Sequence, residues 1–304
     1  MKETLFIINP ASARGRTLRS WNEKRRLLFG HQFEEHLTSR AGEAAEITRE
    51  ALRRGVSRVI AVGGDGTLGE IINGYFDSGQ AINPDAWVGL IASGTGSDFQ
   101  RSLPTRAPDI GSLLKSEGAR IDAAQVTFTT RDGQRSRAMI NLVSLGLGGE
   151  TVAMVNRWRD SLPRWISGQA RYATAALLAL ARYENTPVEV TLDEERIQIE
   201  SFLIAIANGR YAGGGMMFAP HAELDDGLLD VILTDRASRL DIIRELARIR
   251  RGEHLKNPKV MERRARQVSI ASKSPLAVDI DGEMVGHTPA QVRILHKAVR
   301  FLAG

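Results

Sequence analysis

The sequence predicts a two-domain protein: an α/β N-terminal domain with a mainly parallel sheet, followed by a β-rich second domain. Three observations predict it. Short apolar runs alternate with amphipathic segments from Leu5 to Ile91, period-two patterning takes over from about Asp122, and the glycine-rich turns of the first part directly follow apolar runs.

Leu5–Ile8 reads as a strand, and a helix is expected from about Leu18 to Phe29. Phe33–Leu37 returns to strand, Glu43–Arg54 to helix and Arg58–Val62 to strand, followed by a helix over Leu68–Phe76 and a strand over Trp87–Ile91. Strands this short and this apolar, separated by helices, belong to a parallel sheet covered on both faces. In such sheets ligands bind beyond the carboxyl ends of the strands. Those ends carry Asn9-Pro10, Thr38, Gly63-Gly64-Asp65-Gly66-Thr67 and Gly94-Thr95-Gly96.

Past Asp122 the alternation is clearest in Val188–Leu192 and Ile197–Ile199, with Asp193–Arg196 as a hairpin turn. Helices are expected around Trp165–Tyr183 and Ala237–Arg251, and further strands at Gln267–Ala271, Leu276–Ile280, Gln291–Leu295 and Ala298–Leu302. No internal repeat or low-complexity linker marks the boundary. It is placed by the change of texture, giving 1–122 for the α/β domain and 123–289 for the β-rich one.

With 304 residues, 42% hydrophobic and 25% charged, the chain buries a real core and exceeds what one ordinary domain needs. It has no cysteine, which excludes disulfides, thiolate zinc sites and a cysteine nucleophile and fits a reducing cytoplasm. Met1–Pro10 enters an apolar run too short for a signal-peptide core. The longest nearly uncharged stretch, Ala173–Ala181, falls short of the roughly 20 apolar residues a bilayer-spanning helix needs. The expected location is therefore cytoplasmic. A net charge of +5 allows modest attraction to anionic partners without choosing among nucleotides, nucleic acids and lipid headgroups.

Chemistry concentrates in the glycine loops. Val59–Glu70 reads as a buried strand, a tight turn and a helix start, in which Gly63, Gly64 and Gly66 let bare amides approach a phosphate at a helix N-terminus. It is neither a Walker A sequence nor the dinucleotide GxGxxG pattern. Asp65, an acid among anion-binding amides, calls for a cation between carboxylate and phosphate, which points to Mg²⁺ on a nucleotide; the alternative is an Asp that bonds its own turn. Ser93–Asp98 repeats the strand-then-glycine pattern and offers hydroxyls and amides.

These two loops, with Asn208–Gly215, Pro220–Asp230 and Asp281-Gly282-Glu283 following in order, resemble the catalytic domain shared by diacylglycerol kinases, sphingosine kinases and the bacterial lipid kinases. The resemblance covers nearly the whole chain and implies a two-domain lipid kinase whose second domain is a β-sandwich. It implies that the last strands, 290–304, return to the first domain. It implies ATP held by Thr38, the Gly63, Gly64, Asp65, Gly66 and Thr67 loop and Thr95, and Glu283 as the proton acceptor for a lipid hydroxyl. Glu223, Asp226 and Leu228 match the family's Mg²⁺ position, where a cation held by side-chain and main-chain oxygens orders the structure, and Asp122 matches an acid that supports the positioning of Mg²⁺ or Glu283. Two positions depart from the family: Gly69 and Ser97 stand where it often has Asn.

The acceptor implied is a lipid such as diacylglycerol or a phosphatidylglycerol-like molecule, met at a membrane surface by a protein peripheral to its inner face. Between Arg244 and Arg266 nine basic residues stand against three acids, a cationic run that docks on anionic lipid or is simply solvated. Trp158–Trp165 is a second interfacial candidate. Two other functions share features with this chain: an NAD kinase, through the Gly-Gly-Asp-Gly-Thr loop, and a non-catalytic lipid- or nucleotide-binding regulator. The presence of Asp65, Asp122 and Glu283 speaks against the regulator, and the Gly213–Gly215 and Asp281–Glu283 segments against NAD kinase. Nucleic acid is not an expected partner, because the basic run lacks interleaved aromatics. No protein partner is inferable.

Overall fold

The computed structural model describes residues 3–93, 97–104, 110–115, 117–157, 174–175, 178–181 and 184–302. Internal contacts divide the chain into two units. One comprises Met1–Ala123, Leu224–Asp226 and Leu295–Gly304, and the other Ala124–Glu223 and Gly227–Ile294.

The first unit is built on β1 (Thr4–Ile8), β2 (Glu34–Leu37), β3 (Arg58–Gly63) and β4 (Trp87–Ala92), joined by the final residues of the chain's last strand. β1 pairs with β2 and β3, β3 with β4, and β4 with Arg300–Leu302, all parallel. Every residue of β1 is buried, as the uninterrupted Thr-Leu-Phe-Ile-Ile run requires of a strand covered on both faces. On one face Phe6, Ile8, Ile60, Val62 and Leu302 pack with Trp21 of helix α1 (Thr17–Lys24). Trp21 is 1% exposed and donates its Nε1–H to Glu35 Oε1 at 2.8 Å, so its burial leaves no donor unmet. Helices α2 (Glu43–Arg53) and α3 (Asp65–Tyr75) pack together so closely that a Cβ on Gly74 would lie 2.3 Å from the Ala45 carbonyl oxygen.

The second unit is antiparallel throughout. Its strands are β5 (Ala119–Thr130, shared at its start with the first unit), β6 (Gly133–Met139), β7 (Leu142–Gly146), β8 (Thr186–Leu192), β9 (Glu195–Ser201), β10 (Leu203–Ala207), β11 (Leu229–Thr234), β12 (Val260–Ala265), β13 (Gln267–Ser272), β14 (Ala277–Ile280) and the long β15 (Glu283–Leu302). From β15 one path of pairings runs β14, β7, β10, β11, β12, and another runs β13, β8, β9. Val143, Ile204, Ile206 and Val231 from the first path and Val188, Val190, Val268 and Ile270 from the second share one core. Two sheets whose alternate residues bury against each other form a sandwich, and each fully buried Val, Leu or Ile contributes about 1.5–3 kcal/mol.

Several sequence-based boundaries are corrected. The helix expected from Leu68 begins at Asp65, so Gly66 and Thr67 belong to its first turn. Leu18–Phe29 is α-helical only to Lys24 and continues as a 3₁₀ turn over Arg25–Leu28, and Ala237–Arg251 divides in the same way after helix Arg239–Arg248. Gln291–Leu295 and Ala298–Leu302 are one strand, interrupted only by Lys297 at φ +49°. That kink is held by the Lys297 amide donating to the buried Asp122 carboxylate at 2.6 Å. Trp158–Trp165 and most of the expected helix Trp165–Tyr183 lie outside the described residues, and the parts described, 174–175 and 178–181, are helical. No described helix is long and apolar enough to cross a membrane.

Candidate active site

In a parallel sheet the carboxyl ends of neighbouring strands lie side by side, so the residues that follow them converge. The Asn9 amide donates to Val62 O at 3.0 Å, Ser93 N to Gly63 O at 2.9 Å and Thr38 N to Ile8 O at 2.9 Å. Asn9, Thr38, Gly63 and Ser93 therefore stand along one edge. Asn9 Nδ2 donates to Thr67 Oγ1 at 3.2 Å. Thr17 Oγ1 donates to Ser93 Oγ at 2.7 Å, and Ser12 Oγ lies 3.1 Å from the same oxygen. This hydroxyl cluster was missed in the sequence because its members are 76 and 81 residues apart.

Gly63 is required by close approach: a Cβ there would lie 2.4 Å from Thr67 Oγ1. Gly64 is the N-cap of α3 and offers no side chain to the helix's first amides, while Leu68 N closes the first turn onto Gly64 O at 3.2 Å. The first-turn N–H groups of α3, with no side-chain cap, combine with the helix dipole into an anion cradle.

Asp65 serves a purpose the sequence did not disclose. Its carboxylate accepts Ser97 Oγ–H at 3.0 Å, Asp98 N–H at 2.8 Å and Phe99 N–H at 3.1 Å. It thus caps the short helix α4 (Asp98–Ser102) and ties the second glycine loop to the first. Burial pushes the carboxyl group up, opposed by these three donors and by the charge of Arg101. Three of its roughly four acceptor sites are occupied, so the fit to a metal-ligand role is poor. Ser97, a departure from the family pattern, is one of the three donors. Thr95 lies outside the described residues.

Asp122 is 0% exposed, and one oxygen accepts both the Lys297 amide and His296 Nδ1–H at 3.0 Å, while its own amide donates to Leu224 O at 2.6 Å. It stitches β5, β15 and the Leu224–Asp226 segment together inside the first unit.

In the second unit the Asp281-Gly282 turn joins β14 to β15 with both residues at positive φ, +50° and +89°. The Asp281 carboxylate accepts the amides of Ile140, Asn141 and Leu142 at 3.0, 3.0 and 2.9 Å, which locks the turn onto the start of β7. Glu283 begins β15. Its Oε2 accepts Arg137 Nη1–H at 2.8 Å, with the two side chains 39% and 28% exposed. Glu283 thus presents a carboxylate open to solvent on a turn that three amides hold still. Behind it Asp279 is buried, accepting Ser144 Oγ–H at 2.9 Å. Burial, with Asp281 and Glu283 adding their charges, pushes Asp279 up to about 7. The only sequence sign of it was one acid inside the apolar run Leu276–Ile280.

Glu223, Asp226 and Leu228 stand on one loop, Glu223 exposed and the other two half-buried, with Gly227 turning between them at φ +78°. Among the described residues no group of three His, Asp or Glu side chains is arranged to hold a metal, so a cation here depends on main-chain oxygen and water. A mostly apolar cavity of about 100 Å³ lies elsewhere in this unit, lined by Leu147, Phe202, Phe218, Ile232, Ile242 and His254 among others. Into this lining His254 brings a buried, unpartnered Nδ1, and burial pulls the imidazole's pKa down.

Two family models match the chain: the diacylglycerol kinase catalytic domain over residues 3–126, and the YegS C-terminal NAD kinase β-sandwich-like domain over 141–303. The diacylglycerol kinase of Bacillus subtilis (strain 168) is 26% identical over 99% of this chain and 96% of its own. That of Staphylococcus carnosus (strain TM300) is 28% identical over 86% of this chain and 81% of its own. Among solved structures, a Bacillus anthracis str. Sterne protein assigned as a diacylglycerol kinase matches with a TM-score of 0.77 at 23% identity, covering 100% of this chain and 95% of that one. Yeast NADH kinase complexed with NADH matches with a TM-score of 0.53 at 11% identity, covering 98% and 82%. At those identities the structural matches show a shared fold.

Proposed function

The chain belongs to the diacylglycerol kinase-like lipid kinase family, phosphotransferases with an alcohol acceptor, and from that premise we propose that it moves the γ-phosphoryl group of ATP onto a lipid hydroxyl. The observation that carries the nucleotide half is the uncapped N-terminus of α3 beside Asn9, Thr38 and the Ser12–Thr17–Ser93 hydroxyls. Amides and hydroxyls there bind phosphate oxygens, and Thr38 and Thr95 complete the nucleotide contacts. Asp65 acts by holding the second glycine loop in place.

Glu283 is the general base. As the lipid oxygen forms its bond to the γ-phosphorus and the bond from phosphorus to the ADP oxygen breaks, the hydroxyl proton passes to the Glu283 carboxylate. Arg137 keeps that carboxylate oriented, and Asp122 takes the supporting role that the family resemblance implies for it. Mg²⁺ carried on the nucleotide would neutralise phosphate charge, and the hard oxygens of Glu223, Asp226 and the Leu228 carbonyl would suit a separate Mg²⁺ that orders their loop. The acceptor is diacylglycerol or a phosphatidylglycerol-like lipid at the inner face of the membrane, with the apolar cavity of the second unit suited to part of an acyl chain.

The test is Mg²⁺- and ATP-dependent phosphate incorporation into a panel of detergent-dispersed lipids, with NAD and no-acceptor controls. Labelled lipid, reduced about 10²–10⁴-fold by Glu283→Gln without loss of thermal stability, is the expected result. Labelled NADP would instead assign the chain to the chemistry of the kinase whose fold it shares.

A further inference from the structure

Helix α5, Leu147–Arg157, packs within the second unit, whereas α6, Arg239–Arg248, shows an arrangement that folding alone does not require. Its inner face is accounted for: Ile242 is 8% exposed and packs with Leu147, Leu180 and Phe202, and Ile249 just beyond the helix is 8% exposed in the neighbouring cluster. The opposite face of such a helix is ordinarily polar. Here it carries Leu240, 65% exposed, and Ile243, 48% exposed, with Leu246 at 39% on the rim of the apolar cavity. At 100° per residue, Leu240, Ile243 and Ala247 fall together on the outward side.

The charges are sorted in the same sense. Both acids of the helix turn inward and are engaged. The Asp241 carboxylate accepts the Ser238 amide while the Asp241 amide donates to Ser238 Oγ, a capping box, and the carboxylate lies 2.6 Å from Lys259 Nζ. Glu245 accepts Arg248 and Asn257. Arg239, Arg244 and Arg250 are exposed and make no ion pair among the described residues. The outward surface is therefore an apolar stripe flanked by unneutralised arginines, the composition of a helix that lies in a membrane interface.

We propose that α6 is a membrane-docking element that rests on an anionic lipid bilayer, with Leu240 and Ile243 inserted at the headgroup boundary and Arg239, Arg244 and Arg250 on acidic headgroups. This deepens the lipid-kinase reading, and rests on it for the choice of a bilayer over another acidic surface. Because Leu246 is both exposed and cavity-lining, docking by this face brings the rim of the cavity to the bilayer from which an acyl chain would enter.

The test is sedimentation of the full chain, without ATP, with vesicles of phosphatidylcholine alone or with phosphatidylglycerol added. Wild type is expected to bind the anionic vesicles, and less so as salt is raised. Arg239→Gln/Arg244→Gln/Arg250→Gln should weaken binding on the order of 100-fold, from about fivefold per basic residue. Leu240→Ser/Ile243→Ser should weaken it at least tenfold. All five positions are exposed, so both variants should unfold at the wild-type temperature and phosphorylate detergent-dispersed lipid normally. Failure of that detergent assay would count against the kinase reading, separately from docking. No binding of wild type to anionic vesicles, or wild-type binding by both variants, overturns the proposal; so does a change of oligomeric state in Leu240→Ser/Ile243→Ser with vesicle binding intact, which would make the stripe a protein contact.

Discussion

Asp279→Asn should make the protein more resistant to unfolding at pH 8 relative to its effect at pH 5. Asp279 is buried and is pushed from the ordinary 3.8 to about 7, chiefly by burial, against the opposing hydrogen bonds of the Ser144 hydroxyl and the Gly282 amide. A carboxyl group whose pKa is higher folded than unfolded binds its proton more tightly in the native state. Stability is then greatest below the unfolded pKa and falls as pH rises from about 4 to about 7. A displacement of about three units at 1.36 kcal/mol each makes this loss about 4 kcal/mol at pH 8, of which about 2–3 kcal/mol accrues between pH 5 and pH 8. Asn has the same shape and does not titrate, so the variant escapes the loss. Any cost of an unpaired amide hydrogen is the same at both pH values and cancels in the difference. Urea unfolding of both proteins at pH 5 and pH 8 measures it. If the free-energy difference between variant and wild type stays constant within about 0.5 kcal/mol across those pH values, Asp279 is not held neutral by burial and the reasoning fails.

Gly63→Ala places a methyl group against Thr67 Oγ1 and should cost about 1–3 kcal/mol and weaken ATP binding, whereas Gly66→Ala, with nothing within 4 Å of its Cβ, should not destabilise; thermal unfolding and nucleotide titration of both separate the two. Asp281→Ala removes the acceptor of three amides and should cost about 3 kcal/mol or more, seen as a lower urea midpoint and as loss of kinase activity through a loosened Glu283. Ser238→Ala breaks the capping box of α6 and should cost about 0.5–2 kcal/mol, with faster amide exchange across Arg239–Arg248.

The chain's periodicity carried most of the fold. Apolar runs such as Leu5–Ile8 and alternating ones such as Thr186–Leu192 each have one stable setting, buried on two faces or on one. The Trp87–Ala92 strand and the Glu43–Arg53 helix fall within one residue of their predicted ends. Boundaries failed where a long-range contact outweighed local preference. Nothing near Lys297 in sequence supplies the carboxylate that lets its amide sit in a kink, so one strand read as two.

In the candidate site, residue types and strand ends were legible and partners were not. Glycines beside an acid announced a tight turn into a helix N-terminus, because backbone reach and helix polarity are local properties. That Asp65 spends its oxygens on residues 32 to 34 positions away depends on where the loops are brought by the sheet. The same holds for the Ser12–Thr17–Ser93 cluster and for the Arg137–Glu283 pair, 146 residues apart. By itself the sequence determined a two-domain fold, α/β followed by β-rich, and a family, because these follow from short-range pattern. Only the tertiary structure decided which carboxylates brace loops, which stay open to solvent and which one burial pushes up, because hydrogen-bond partners and dielectric surroundings come from residues that the chain brings together only on folding.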